Sequence, residues 1–133
     1  MLGALIGLER DYRGHPAGIR TMALVVLGAT LFTSESVLFP GESGMSRVAS
    51  NIVVGIGFLG AGVIVRDRMQ VSGVTTAAMI WCGAAIGIAI GRERYLVATI
   101  VALLTIVLLE AYWLSERVRA RGAVTGAQGQ PDR

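Results

Sequence analysis

Apolar residues are grouped into five runs along this chain of 133 residues, and short polar segments separate the runs. The first run, residues 1–8, covers only about 12 Å as a helix, less than half of a hydrocarbon core of about 30 Å. The other four runs are long enough to span such a core: residues 19–39, 48–65, 73–91 and 95–114. The pattern predicts an all-α fold, a polytopic transmembrane helix bundle with four full spans plus a truncated first helix.

Glycine is concentrated in the third run, which holds Gly55, Gly57, Gly60 and Gly62. In a soluble helix each of these glycines would cost roughly 1 kcal/mol relative to alanine. In lipid, unpaired backbone groups are expensive enough to keep such a segment helical, and small residues let neighbouring helices approach closely. We therefore interpret the third run as the central helix of the bundle, with its four glycines as packing positions.

The fourth run carries a small residue at every fourth position: Gly83, Gly87 and Gly91. Such a row forms a groove along one face of a helix, and the backbone of another helix fits into it. We expect this groove to pack against the glycine-rich third run. Two glycine-rich helices also suit a homodimer, and the sequence leaves the oligomeric state open.

The composition indicates a chain that resides in the lipid bilayer. It is 53% hydrophobic and 16% charged, with a mean hydropathy of +0.64, whereas globular proteins carry about 25% charged residues. The net charge is +3, and the basic residues, all arginines, form short clusters between the apolar runs. This distribution is typical of the loops of multispanning proteins and indicates no nucleic-acid partner. The GxGxxG spacing at residues 55–60 lacks the context that a dinucleotide site requires.

The arginines are distributed unequally between the two sides of the predicted bundle. The first loop, the third loop and the C-terminal segment hold nine of them, and the opposite side holds three. Because positive residues favour the cytoplasmic side, we expect the N-terminus outside and the C-terminus in the cytoplasm. Residues 1–116 are predicted to form the transmembrane domain. Residues 117–133, which are basic and poor in apolar side chains, are predicted to form a disordered cytoplasmic tail.

Polar residues at the ends of the spans are the best site candidates, because an arginine at a helix centre costs roughly 2.5–3.5 kcal/mol. Those that begin the second, third and fourth runs are Arg20 and Thr21, Arg47 and Asn51, and Thr75 and Thr76. The arginines can also reach lipid headgroups, and the threonines can cap free amides. Six polar residues fall at predicted cytoplasmic ends: Arg20, Thr21, Arg66, Asp67, Thr75 and Thr76. We expect Glu110, near the inner end of the fifth run, to lie within reach of Arg117.

Residues suited to catalysis or metal binding are sparse. The chain has one histidine, His15, in a polar segment, and one cysteine, Cys82, inside an apolar run. Neither supports a zinc site, and the nine acidic residues form no obvious magnesium cage. We therefore expect no enzymatic activity, no metal site and no bound cofactor.

Four short motifs follow one another along the chain: GLER at residues 7–10, AGIRT at 17–21, GIGFLGAG at 55–62 and TTAA at 75–78. Together they make residues 3–109 resemble the MgtC/SapB family of bacterial inner-membrane proteins. The resemblance implies a bundle of about five transmembrane helices in the inner (plasma) membrane, with the orientation predicted from the arginines. Many members carry a cytoplasmic domain after the bundle, so this chain resembles a short member that consists of the bundle alone.

The resemblance also implies eight polar positions of functional interest: Glu9, Arg10, Arg20, Thr21, Arg47, Asn51, Thr75 and Thr76. The chain departs from the family pattern in two places. The family usually has an acidic residue shortly before the arginine matched to Arg47, whereas residues 44–46 here are glycine, methionine and serine. The histidine that often follows the RT pair is Met22. If that acidic residue acts in relatives, the function is altered in this chain.

Better-known members of this family are linked to growth under magnesium limitation and to survival inside macrophages. They are thought to act on the F-type ATP synthase rather than to transport magnesium. The resemblance implies a non-enzymatic membrane protein that regulates ion (magnesium) homeostasis or stress adaptation through membrane-protein partners. The alternative is an ion transporter or channel subunit in which Arg20, Arg47, Asn51 and Glu35 line an aqueous path.

Overall fold

The computed structural model describes the backbone of residues 1–38, 42–66 and 70–127, with side chains described at 1–38, 44–66 and 70–111. Helices make up most of this part of the chain. In order, the elements are α1 (Leu2–Tyr12), α2 (Ile19–Glu35), a 3-10 turn (Ser36–Leu38), α3 (Glu42–Gly62), β1 (Val65–Arg66), β2 (Val71–Ser72), α4 (Val74–Gly91) and α5 (Tyr95–Ala127). The predicted all-α helical bundle is confirmed.

The described helices include three that are long and apolar enough to cross a membrane: Ile19–Leu38, Gly44–Gly62 and Val74–Gly91. The apolar part of α5 with described side chains, Tyr95–Ala111, is shorter. The remainder of the predicted fifth span, residues 112–114, lies outside the described side chains. Large apolar side chains such as Leu24, Phe58 and Leu108 cover the outer surface of the bundle. Lipid solvates such a surface whereas water does not, so the chain is a membrane protein.

The helix at the centre of the bundle is α4, and the prediction that the third run takes this place is wrong. α4 packs against α2, α3 and α5, and its buried side chains include Met79, Ile80 and Ile86. The share of buried residues is 39% for the apolar stretch of α4 and 11% for that of α3. A helix that is apolar on every side can be contacted from several directions, which is why α4 occupies the centre.

The glycine row of α4 faces α2 rather than α3. A Cβ atom built at Gly87 would lie 2.6 Å from the Cβ of Ala29 and 2.6 Å from the backbone oxygen of Val26. Cβ atoms built at Gly83 and Gly91 would lie 2.9 and 2.6 Å from side chains of α2. Non-bonded carbon atoms normally rest about 3.5–4.0 Å apart, so a side chain at these positions would force the two helices to separate.

Most of the glycines of α3 lie in open space. Cβ atoms built at Gly55, Gly57 and Gly62 would meet no described atom within 4 Å. A Cβ at Gly60 would lie 3.7 Å from the Cβ of Ala77 on α4, which is an ordinary van der Waals contact. The prediction that all four glycines serve close packing is therefore wrong for contacts within this chain. Gly55 lines a groove that separates α3 from α2, and a Cβ at Gly57 or Gly62 meets no neighbouring helix among the described residues.

Two helices end later than the sequence predicted. α1 continues to Tyr12 and includes Glu9 and Arg10, which follow the predicted first run of residues 1–8. Glutamate and arginine are good helix formers, so the charges end the apolar run without ending the helix. α5 continues to Ala127, beyond the predicted end of the fifth run at residue 114. Residues 128–133 lie outside the described chain, and the division into a domain and a tail stays a prediction.

The predicted loop between α3 and α4 contains a short antiparallel hairpin of β1 and β2. Val65 pairs with Ser72 in this hairpin, and the three residues at its tip, 67–69, are not among those described. Gly73 follows with a φ angle of 86°, a left-handed conformation that strongly favours glycine, and α4 begins at the next residue. The tight reversal places the first turn of α4 beside the end of α1.

Candidate functional site

Arg10 joins the end of α1 to the first turn of α4. Its side chain is only 4% exposed, and its Nη2 atom donates a hydrogen bond of 2.9 Å to Oγ1 of Thr76. Thr76 is itself 3% exposed. Because both groups are buried, removing one of them would leave the other without its partner, at about 1–3 kcal/mol or more. This bond connects two residues that both belong to the predicted polar cluster.

A second polar contact joins α1 to α5 through Arg13. The Nη2 atom of Arg13 donates a hydrogen bond of 2.5 Å to Oε1 of Glu110. Its Nε atom lies 2.6 Å from Oε1 of Glu9, one helical turn earlier, in an ion pair that is not aligned as a hydrogen bond. The hydrogen bond that Arg13 donates to Glu110 raises the pKa of Arg13 above its usual value. The guanidinium is therefore positive at any physiological pH.

The segment between α1 and α2 is held by a carboxylate. Oδ2 of Asp11 accepts a hydrogen bond of 2.9 Å from the backbone nitrogen of Ile19, the first residue of α2. This bond satisfies one of the amide groups that have no partner within the helix. The contact orients the start of α2 relative to the end of α1. It lies at the end of the bundle that also holds the contacts of Arg10 and Arg13, which we call the polar end of the bundle.

A cavity of about 330 Å³ lies beside Arg10, between the end of α1, the hairpin and the start of α4. Its polar lining comprises Arg10, His15, Ser72, Thr75 and Thr76. We call it the Arg10 cavity. The arrangement brings a buried guanidinium, three hydroxyl groups and an imidazole to one small space, which is a set of hydrogen-bond donors suited to an acceptor-rich ligand.

The structure brings together only part of the predicted polar cluster. Arg10, Thr75 and Thr76 line one cavity, whereas Glu9 lies outside that lining and forms an ion pair with Arg13. The other predicted positions are exposed and lie outside the lining of the Arg10 cavity: Arg20, Thr21, Arg47, Asn51 and Arg66. Asp67 is outside the described residues. A functional role for any of these residues stays a prediction.

Four residues of the site were not predicted to belong to it: Arg13, His15, Ser72 and Glu110. One local signal was present, because Glu9 and Arg13 are four residues apart and such pairs face each other on a helix. This helical pair was not predicted, because residues 9–18 form a polar segment between two apolar runs. Glu110 contacts Arg13, whereas its predicted neighbour Arg117 lies outside the described side chains.

A larger groove of about 990 Å³ separates α2 from α3. Its lining is mostly apolar, and it includes two polar side chains, those of Glu35 and Asn51. Arg20 and Arg47 are not among the described residues that line it. The four residues of the predicted aqueous path therefore do not share one described cavity.

The described residues contain no group of three or more histidine, cysteine, aspartate or glutamate side chains placed to hold a metal ion. Cys82 is a free, partly buried thiol on α4. The contacts described among Arg10, Arg13 and their partners are hydrogen bonds and ion pairs.

The sequence model of the MgtC family matches residues 1–117. The chain belongs to the MgtC family. The resemblance drawn from the four motifs is thus confirmed. The chain is 49% identical to Protein MgtC of Salmonella typhimurium (strain LT2) over 112 residues, which cover 82% of this chain and 48% of that protein.

A second relative within the MgtC family is Protein MgtC of Brucella abortus (strain 2308). It is 50% identical over 91 residues, which cover 68% of this chain and 38% of that protein. The chain thus spans about half or less of the length of these curated relatives. No solved structure gives a significant match.

Proposed function

We propose that this member of the MgtC family is an inner-membrane protein that supports magnesium homeostasis through contacts with other membrane proteins. In this proposal it is not an enzyme, its N-terminus lies outside and its C-terminus lies in the cytoplasm. The observation that carries the proposal is the α3 glycine face, which we define as Gly57 and Ala61, two exposed small residues one helical turn apart. No described atom lies within 4 Å of a Cβ built at Gly57.

A row of glycines is useful where the backbone of a second helix approaches closely. Within this chain α4 already uses such a row against α2, where Gly87 meets Ala29. The α3 glycine face offers a comparable pair of small residues, yet a Cβ built at Gly57 has no neighbour within 4 Å in the described chain. We infer that a helix of another membrane protein packs there. By family likeness, the proposed partner is a membrane subunit of the F-type ATP synthase.

The transporter alternative is less well supported by the geometry. It requires Arg20, Arg47, Asn51 and Glu35 to line one water-filled path. The groove between α2 and α3 contains Glu35 and Asn51, but its described lining is otherwise apolar and lacks both arginines. An apolar groove favours lipid or another helix over a hydrated ion.

The proposal is tested by growth under magnesium limitation. A bacterium that lacks its own copy of the gene is supplied with the wild-type chain or with the Gly57→Leu variant. Because position 57 is open within the chain, we expect the variant to fold and accumulate normally. We expect it to lose support of growth in low magnesium, since the added side chain blocks the approach of a partner helix.

Ala85→Leu is the matched control, because Ala85 is an exposed small residue on α4, outside the α3 glycine face. This control should support growth as well as the wild type does. If Gly57→Leu supports growth equally well, the α3 glycine face is not the contact surface. A photoreactive side chain at position 57 should also crosslink to a membrane subunit of the ATP synthase, and one at position 85 should not.

Reconstitution of the purified protein into lipid vesicles distinguishes the two candidate functions. Wild-type protein reconstituted alone should move no magnesium ions, as measured with a magnesium-sensitive dye enclosed in the vesicles. A saturable flux of magnesium that is lost in Arg20→Ala would instead establish a transporter and overturn the proposal.

A further inference from the structure

The polar side chains that line the Arg10 cavity are mainly donors of hydrogen bonds. Arg10 contributes a guanidinium, and Ser72, Thr75 and Thr76 contribute hydroxyl groups. The described residues that line it include no carboxylate. The carboxylate of the preceding residue, Glu9, lies outside this lining, 2.6 Å from Nε of Arg13, and also interacts electrostatically with Arg10. The charged group in the described lining is therefore the positive guanidinium of Arg10.

The guanidinium of Arg10 is incompletely partnered. It carries five N–H groups and is 4% exposed. Nη2 donates to Oγ1 of Thr76, whereas the buried Nε has no hydrogen-bond partner in the part of the chain that the structure describes. Buried charged donors in proteins are nearly always satisfied by an acceptor, and here the lining offers no anionic one.

The same cavity receives the N-terminus of α4. This helix has 18 residues, and its N-cap, Gly73, has no side chain that could cap it. The first backbone hydrogen bond within the helix runs from Ala77 to the carbonyl of Gly73, at 2.9 Å. The amide groups of residues 74–76 come before this bond and have no acceptor within the helix. The positive end of the helix dipole adds to the attraction for an anion.

We propose that the Arg10 cavity binds a phosphate-class oxyanion, either free inorganic phosphate or the phosphate of an anionic lipid headgroup. A guanidinium binds two oxygens of such an anion through parallel N–H groups. The hydroxyl of Thr75 and the first amides of α4 supply donors for the remaining oxygens. A carboxylate has only two oxygens and would satisfy fewer of these donors. The inference is independent of the proposed function, because it concerns the Arg10 cavity and not the α3 glycine face.

Free phosphate is tested by calorimetric titration of the purified full chain in nanodiscs of phosphatidylcholine. We expect saturable binding of inorganic phosphate by the wild type. Arg10→Lys keeps the charge but loses the planar fork, and should weaken binding roughly tenfold or more. Arg20→Lys is the matched control, because Arg20 is exposed and outside the cavity. It should bind as the wild type does.

The lipid source is tested by mass spectrometry of the intact protein after nanodiscs containing phosphatidic acid are dissolved in detergent. Wild type and Arg20→Lys should retain phosphatidic acid, and Arg10→Lys should lose it. Binding in the titration alone assigns free phosphate, and retention in this arm alone assigns a headgroup. Absence of both, or binding that Arg10→Lys leaves unchanged, overturns the proposal.

Arg10 is buried, so its substitution could also unfold the protein. Thr75→Ala provides the second variant, because Thr75 is exposed at the mouth of the cavity and its removal leaves the core intact. We expect this variant to keep the wild-type helical content and to bind a few-fold more weakly. Wild-type affinity in a folded Thr75→Ala protein, together with an unfolded Arg10→Lys, would overturn the assignment of the cavity as the binding site.

Discussion

The contact between α2 and α4 depends on the absence of a side chain at Gly87. In Gly87→Ala, the new Cβ would overlap the Cβ of Ala29 and the backbone oxygen of Val26, both at 2.6 Å. Backbone cannot move aside as the end of a flexible side chain does, so the two helices must separate. Overpacking of this kind costs about 1–3 kcal/mol, and replacing a helical glycine by alanine returns at most about 1 kcal/mol. We expect a net loss of about 1–2 kcal/mol.

Gly57→Ala is the matched control, because it makes the same chemical change where no described atom lies within 4 Å. Thermal unfolding of both variants in the same detergent, followed by circular dichroism, measures the difference. We expect the midpoint of Gly87→Ala to fall by on the order of 5 °C and that of Gly57→Ala to stay level or rise. Equal midpoints for Gly87→Ala and wild type would refute the close contact between α2 and α4.

Two further expectations concern the polar end of the bundle. Asp11→Ala removes the acceptor for the backbone nitrogen of Ile19, so it should lower the stability by about 1 kcal/mol in the same unfolding assay; an unchanged midpoint would argue against this cap. Gly73→Ala forces a left-handed alanine and a clash with the backbone of Val63, whereas Gly14→Ala meets the same backbone preference in open space. Gly73→Ala should therefore unfold at the lower temperature, and the reverse order would contradict the tight turn before α4.

The main helices could be predicted from the sequence because hydropathy reports directly on burial in lipid. The second apolar run was predicted to begin at residue 19, and α2 begins at Ile19. The fourth run was predicted over residues 73–91, and α4 covers Val74–Gly91. The end of α1 was predicted too early, because the charges of the GLERDY segment end the apolar pattern but not the helix.

Packing partners were harder to predict than helices. The spacing of Gly83, Gly87 and Gly91 indicates a groove, but any helix with a suitable face could fill it. The residues that fill it, such as Ala29 on α2, carry no pattern of their own that marks them as its partner. The four glycines of α3 suggested a central helix by composition alone, whereas position in the bundle depends on contacts with every other element.

Only part of the polar site could be predicted, again because the sequence does not show which helices meet. Thr75, Thr76 and Arg10 were candidates, and the structure places them around one cavity. Arg20 and Arg47 were candidates on equal grounds, yet both are exposed. A polar residue at the end of a span gives the same sequence pattern whether its side chain reaches the lipid headgroups or forms a hydrogen bond to another helix. Arg13 and Glu110 are 97 residues apart, and no local pattern connects them.

That separation has a consequence for how the protein is made. A ribosome that has completed α1 must still insert α2, α3 and α4 before Glu110 emerges to meet Arg13. The contacts of α1 therefore form in two stages: Arg10 can meet Thr76 once α4 is in place, whereas Arg13 has to wait for Glu110 on α5. The polar contacts around α1 are thus completed only after α5 has been translated as far as Glu110.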